Sequence, residues 1–429
     1  MSPAPSRRSL LAGSAAALSA PLLADSPAAA ATTGSDDEYV VTGADAAAAD
    51  GWSVLRGHRV GVISNPTGVL RDTRHVVDSM AAAGHLDIAG VFGPEHGFRG
   101  SAQAGDAEPE TIDPRTGLTV YDAYGANATK MAELFTKAGV DTVVFDIQDV
   151  GARFYTYIWT MYNAMLAART VGARFLVLDR PNPIGRRADG AMMTAAYTSG
   201  VGLKPIIQQH GMSVGELARY FNGELLPLEG TGGEVELDVV RMRGWNPYSF
   251  AQTSGLPWVP PSPNMPTADT AAVYAGTCYF EGTNLSEGRG TTRPFEFVGA
   301  PYLDYHYSDR LNELGLAGVE FREAYFTPTF NKYVNVNCAG VQVHVTDLRR
   351  FRPILAAVAM LVEAKRYGAF AWRQDSWDTV RPFWIDKLSG SPRLRQMIDA
   401  GAGAAECVAA WEDEAGAFDR TRRKYLLYR

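Results

Sequence analysis

Short apolar runs rich in β-branched residues alternate with amphipathic stretches through the first half of the chain. Arg59–Ser64 (Arg-Val-Gly-Val-Ile-Ser) stops at Asn65-Pro66 and reads as a strand. Asp87–Phe92, Leu118–Tyr121, Asp141–Asp146 and Arg174–Asp179 read the same way. Between them, Thr73–Ala83, Ala128–Ala138 and Thr156–Arg169 read as helices. Strands that are apolar throughout, rather than alternating, belong to parallel sheets with helices over both faces. The expected fold class is therefore α/β, with a Rossmann-like, mostly parallel sheet.

From about residue 195 the pattern loosens. Trp258–Pro266 (Trp-Val-Pro-Pro-Ser-Pro-Asn-Met-Pro) holds too many prolines for regular structure and is the best boundary candidate. Beyond it come a helical stretch near Asp269–Tyr279, a glycine-rich loop over Glu281–Gly290 and an alternating strand over Ala339–Val345. Helices near Arg349–Arg366 and Ser391–Ala400 follow. This mix predicts a second, smaller α+β domain over 261–429, after a main domain over 45–260.

The N-terminus has a different logic. Arg7-Arg8 precedes a moderately apolar run, Leu10–Leu23, and then Pro27-Ala-Ala-Ala-Ala31. That order of charge, apolar stretch and small residues is that of a cleaved secretory signal over 1–31, and the adjacent arginines resemble a twin-arginine type. The run is too short and too interrupted to span a bilayer. The expectation is an exported protein with no stable membrane insertion after cleavage. Residues 32–44 read as a solvated linker.

With 46% hydrophobic residues the remainder has enough apolar surface for sizeable cores. The formal charge of −7 comes without any Lys/Arg-rich run in the mature region, which argues against a nucleic-acid partner. Losing Arg7, Arg8 and Asp25 leaves about −8. Cys278, Cys338 and Cys407 are odd in number, far apart and match no metal-ligand spacing. They read as buried apolar residues, with one disulfide left open. No His-Glu-x-x-His pattern points to a metal. No Gly-x-x-x-x-Gly-Lys or Gly-x-Gly-x-x-Gly motif points to a nucleotide, so no cofactor is expected.

Ligands of open parallel sheets bind beyond the carboxyl ends of the strands, and polar residues collect there. One strand runs into Gly93-Pro-Glu95-His96-Gly-Phe-Arg99-Gly100. Another runs into Asp146-Ile-Gln-Asp149-Val-Gly-Ala-Arg153-Phe-Tyr155-Thr-Tyr157, and a third into Asp179-Arg-Pro-Asn182-Pro183. Glu95 reads as a rigidly held proton donor or acceptor, or as a carboxylate paired with Arg99. Asp146 reads rather as a partner of Arg153 and a helix cap, and Asp149 as either a catalytic or a structural group. His96 reads as an orienting residue. Asp179 holds a turn or touches substrate. Glu287 and Arg289 bind a sugar or its acidic substituent, or else salt-bridge a packing loop. Gly211-Met-Ser213-Val-Gly215 matches a nucleophile elbow, but Glu216 three residues after Ser213 makes it a helix capping box.

Together, Gly93–Gly100, Asp146–Tyr157, Asp179–Pro183, Pro261–Met265-Pro266 and Glu281–Arg289 resemble the signatures of NamZ-type exo-β-N-acetylmuramidases, a glycoside hydrolase family. The motifs run in order from about residue 50 to the C-terminus. One stretch, Gly185-Arg186-Arg187, departs from the family's glycine-rich tendency. The resemblance implies a cleft between two domains. It implies release of N-acetylmuramic acid from the non-reducing end of peptidoglycan fragments, with such saccharides as the partner class. It places a catalytic glutamate at Glu95. Glycosidic hydrolysis generally uses an acid on the leaving oxygen and a second group. Here Glu95 is the expected acid and Asp149 the second group, with Glu287 behind it and the substrate's acetamido group as an alternative. Arg99, Arg153 and Arg289 are the expected readers of the lactyl carboxylate. His96, Tyr155, Asn182, Asn264, Asn284 and Glu287 complete the expected substrate contacts. An exported binding protein without catalysis is the rival reading, and a serine esterase acting through Ser213 a third.

Overall fold

The computed structural model describes residues 39–100 and 109–429. The expected signal over 1–31 lies outside them. Six strands come first: β1 (Arg59–Ser64), β2 (Asp87–Gly93), β3 (Thr111–Ile112), β4 (Thr119–Asp122), β5 (Thr142–Asp146) and β6 (Arg174–Leu178). β7 (Asp189–Met192) and β8 (Ile207–Gln209) form a separate antiparallel pair, and β9 (Leu237–Val240) returns to the large sheet. Its order is β3-β4-β2-β1-β5-β6-β9, parallel everywhere except at β3. The chain winds outward one way from β1 to β2 and β4, then returns to β5 and winds the other way. The reversal between β1 and β5 leaves a crevice at their carboxyl ends, where such sheets bind ligands.

Helices cover both faces, which is why the strands are apolar throughout. Val143, Phe145, Phe175 and Val177 pack on one side with α3 (Ala128–Ala138) and α4 (Tyr157–Val171). Val144, Leu176 and Leu178, alternating with them, pack on the other with α1 (Gly43–Ala49) and α2 (Val76–Ala82). Local chemistry sets the helix ends. Asn127 caps α3 through Lys130 N–H, and Gly139 closes it with φ 69°. α2 starts later than the sequence pattern suggests, because the His75 ring accepts from Val77 N–H and makes the cap.

The expected linker is shorter than 32–44. Thr42 and Asp45 form a capping box that starts α1, Val40 is buried and Val41 bridges to Arg243. From Val40 the chain is part of the fold, because the small residues of α1 cover one face of the sheet.

Further along come α5 (Val214–Tyr220), α6 (Ala268–Thr277), α7 (His306–Glu313) and α8 (Pro353–Ala364). A three-stranded antiparallel sheet, β10 (Phe297–Ala300), β12 (Cys338–Val345) and β11 (Val319–Phe326) in that order, packs with them. β12 is central, so its first half is buried on both faces and only Gln342 and His344 keep the alternation seen in sequence. Residues 39–429 form one compact unit. Core packing continues past the proline-rich 258–266 segment: Tyr274 of α6 meets Phe154 and Tyr155 edge-on. All three cysteines are free and buried, so no disulfide is present.

Asp179, at the end of β6, is fully buried. It accepts from the Tyr428 hydroxyl (2.6 Å), the Ser213 hydroxyl (2.9 Å) and Gly215 N–H (2.7 Å). It therefore holds the C-terminal segment and the start of α5. Burial raises its pKa to about 7 despite these donors. The unfolded carboxyl ionises near 4, so raising the pH from 4 to 7 favours the unfolded chain, by up to about 4 kcal/mol. Asp179→Asn is expected to remove that part of the pH dependence. Urea denaturation of both forms between pH 4 and 8 checks it, and identical slopes would refute it.

Candidate active site

The chain after β2 turns at Pro94. Gly97 N–H donates to Pro94 O (2.9 Å), and His96 takes φ 68° inside the turn. This left-handed value is uncommon for a residue with a side chain and marks functional segments. The turn aims half-buried Glu95 at the start of α4. Thr156 donates its hydroxyl to Glu95 Oε2 (3.0 Å) instead of capping its own helix. The Tyr157 hydroxyl lies 2.7 Å from Pro261 O and 3.2 Å from Glu95 O. Two sequence-distant motifs, 93–100 and 261–266, thus meet on the first turn of α4. Thr156→Val is expected to lower turnover roughly tenfold with KM little changed, the worth of one hydrogen bond to a carboxyl group. Steady-state kinetics beside Thr156→Ser, which keeps the hydroxyl, checks this.

Asp149 follows β5 and is almost fully buried. Its Oδ2 accepts from Gly151 N–H (2.7 Å) and from His210 Nε2 (3.0 Å). His210 Nδ1 accepts from Met212 N–H (3.3 Å), which sets the tautomer that donates to Asp149. Gly151 needs its φ of 81°, and a Cβ there would lie 2.5 Å from Asn182 Oδ1. Asp149 Oδ1 is buried with no partner. Tyr155 lies close enough to both carboxylates to feel their charge. Burial first, then Tyr157, Asp149 and Glu95, push its ionisation far above the usual phenol range. It is therefore a neutral phenol, and its hydroxyl makes no well-formed hydrogen bond, with Ser262 as its polar neighbour. Asn65, at the end of β1, also holds an unpartnered buried amide nitrogen beside Tyr157. Buried polar atoms without partners are costly. Here three of them gather at the crevice between β1 and β5, beside Glu95.

The other sequence candidates divide. Arg289 pairs with Glu281 (2.7 Å) and Glu287 (3.2 Å), and Lys332 pairs with Glu287 (2.9 Å). This network reaches the centre through rings: Arg289 lies over Phe295, Phe295 meets Tyr274, and Tyr274 meets Tyr155. Asn264 is buried beside the 261–266 turn. Asn284 is occupied by Ala369 O, Ala371 N–H and the Tyr302 hydroxyl. Asn182 holds Ile184 N–H and Met212 O. Both hold loops rather than present an amide to substrate, because their donors and acceptors are already used.

Two expected pairings and one expected role are corrected. Glu95 does not pair with Arg99, which is held by Asp78 (2.7 Å) and Asp113 (2.8 Å). Asp146 does pair structurally, but with Arg180 (2.5 and 2.8 Å) rather than Arg153. Arg153 is no carboxylate reader in this fold. It is fully buried and donates to the carbonyls of Ala191, Ile206 and Leu388. Burial lowers its pKa to about 10.

Ser213 is fully buried, completes the capping box with Glu216 and donates to Asp179, so it offers no nucleophile. Sequence reading passed over Asn65, Thr156, Tyr157 and His210. Asn65 had the same signal as the chosen residues, a polar side chain at a strand end. His210 follows Ile207-Gln-Gln, which is polar for a buried strand. β8 is nevertheless fully buried, since Gln208 is satisfied by Ala275 O and Tyr279.

The description "Exo-beta-N-acetylmuramidase NamZ, N-terminal" matches residues 60–269, and its C-terminal counterpart matches residues 272–428. The chain belongs to the NamZ family. It is 41% identical over 391 residues to the peptidoglycan beta-N-acetylmuramidase NamZ of Bacillus subtilis (strain 168), covering 91% of each chain. Two solved DUF1343 family proteins of Bacteroides fragilis NCTC 9343 share this fold. One is 31% identical with a TM-score of 0.81, covering 91% of this chain and 100% of that one. The other is 30% identical with a TM-score of 0.70, covering 91% and 99%. In this NamZ-family chain the N-terminal match carries Glu95, Asp149 and Tyr155, and the C-terminal match carries Glu287 and Arg289.

Proposed function

We propose that this chain is an exo-acting glycoside hydrolase that releases N-acetylmuramic acid from the non-reducing end of peptidoglycan fragments. Family membership along nearly its whole length supports the activity. The observation that carries the mechanism is Glu95, held by Thr156 at the head of α4 beside unpartnered polar atoms. Glu95 gives its proton to the departing sugar oxygen. Asp149, whose free Oδ1 is kept oriented by His210 and Gly151, is the second group. Tyr155, a neutral phenol near both, donates to substrate. The segment from about 261 onward closes the crevice, with Arg289 as the remaining arginine wired to it. Export by the twin-arginine-type signal belongs to the same proposal, since the substrate lies outside the membrane.

The test is incubation of purified protein with a chromogenic β-N-acetylmuramide and the matching β-N-acetylglucosaminide. Release from the first alone is expected. Release from the second alone, or from neither, defeats the specificity.

A further inference from the structure

A cavity of about 1380 Å³ opens elsewhere in the protein, and Glu95, Asp149 and Tyr155 do not line it. Its walls include Phe250, Pro247, Phe351 and Pro353, which are apolar. Its charge is unlike that of the chain. Six arginines (186, 187, 349, 422, 423 and 429) line it, together with Asp347 and Asp419, in a protein whose formal charge is −7. Two of them are consumed structurally. Arg186 pairs with Glu216, and Arg422 is held by Asp419 and by the carbonyls of His210 and Gly211. Arg423 shares Asp419. Arg187 reaches only the carbonyls of Phe351 and Arg349. Among the described residues, neither Arg187 nor the Arg349 side chain has a carboxylate partner, and both are exposed. The nearby Asp347 spends its Oδ1 on the N–H groups of Arg349 and Arg350.

A second, independent feature lies in the same cavity. Gln209 lines it and is 98% buried, yet its Oε1 has no hydrogen-bond partner. A buried amide oxygen left without a donor is costly unless a ligand supplies one.

We propose that this cavity binds a short acidic peptide. The unpaired guanidiniums of Arg187 and Arg349 take its carboxylates, Gln209 Oε1 accepts a peptide N–H, and the apolar walls cover the side chains. A lone inorganic anion is too small. The volume exceeds the roughly 300–1,000 Å³ usual for small-molecule pockets, and a peptide of several residues fills it. Its occupancy bears on hydrolysis through Arg422, which holds the backbone of His210, the partner of Asp149.

The test is calorimetric titration of the full-length protein with acetyl-Ala-Glu-Ala bearing a free C-terminus. Its Gln-amide counterpart and inorganic phosphate run in parallel. Binding of the acidic peptide is expected to be at least about tenfold tighter than that of the amide, as for charge-assisted pairs. Arg349→Gln is expected to weaken it by a similar factor and leave hydrolysis of the chromogenic muramide unchanged. Gln209→Leu, checked for an unaltered melting temperature, is expected to weaken both peptides alike. Equal binding of the acidic and amide peptides overturns the proposal. So does binding of phosphate that excludes the peptide at the same affinity, or peptide binding indifferent to Arg349→Gln. Failure of hydrolysis with peptide binding intact would count against the enzymatic reading alone.

Discussion

Glu95→Gln is expected to lower kcat on unactivated muramyl saccharides by about 10²–10⁴-fold, the usual worth of a positioned acid or base. KM should stay within a factor of a few, because the amide keeps the shape of the side chain and its bond to Thr156. The loss should shrink for a nitrophenyl leaving group, which departs without a proton. That dependence separates a proton donor from a residue that merely binds sugar. Folding should be nearly unaffected, since Glu95 is half-buried and its carboxyl accepts one side-chain bond. Kinetics with both leaving groups and a thermal melt decide it. A variant with full activity, or one equally impaired on both substrates, would sink the role assigned to Glu95.

Arg153→Met is expected to cost stability rather than specificity, by roughly 3–9 kcal/mol. Three carbonyls lose their donor, each worth about 1–3 kcal/mol when left buried and unpaired. Two of these carbonyls belong to the segments around β7 and β8 and the third to Leu388 far along the chain, so the guanidinium ties three distant stretches together. Arg153→Lys should recover part of the loss, because an ammonium reaches fewer of the three acceptors at once. The midpoint of urea unfolding reads this directly. Normal stability together with a raised KM for muramides would restore Arg153 as a substrate reader.

These two residues mark where sequence reading succeeds and where it stops. Glu95 and Arg153 look alike in sequence, each polar and just past a buried strand. The resemblance implies a catalytic role for Glu95, and guanidinium chemistry makes Arg153 an expected reader of the lactyl carboxylate. Only the neighbours distinguish them. Glu95 meets Thr156, some 61 positions away, at a crevice rimmed by unpartnered atoms. Arg153 meets Leu388, some 235 positions away, in the interior. Arg99 shows the same limit, since nothing local to it reveals Asp78 or Asp113 as partners, whereas the salt-bridged alternative for the Glu281–Gly290 loop does hold Arg289. His210 shows the converse. Its segment is polar for a buried strand, but Gln208 and His210 are each satisfied by partners that hydrophobicity patterns do not record.

The sequence alone determined the order of the main strands and helices of the first half, the doubly covered parallel sheet, the capping box at Ser213, and the rim on which chemistry gathers. These follow from periodicity and from residues within four positions of one another, where the physics is local. The tertiary structure decided which polar groups on that rim are free and which are consumed. Hydrogen bonding and ion pairing depend on three-dimensional proximity across tens to hundreds of residues, and burial turns that proximity into either a fixed strut or a group left ready for substrate.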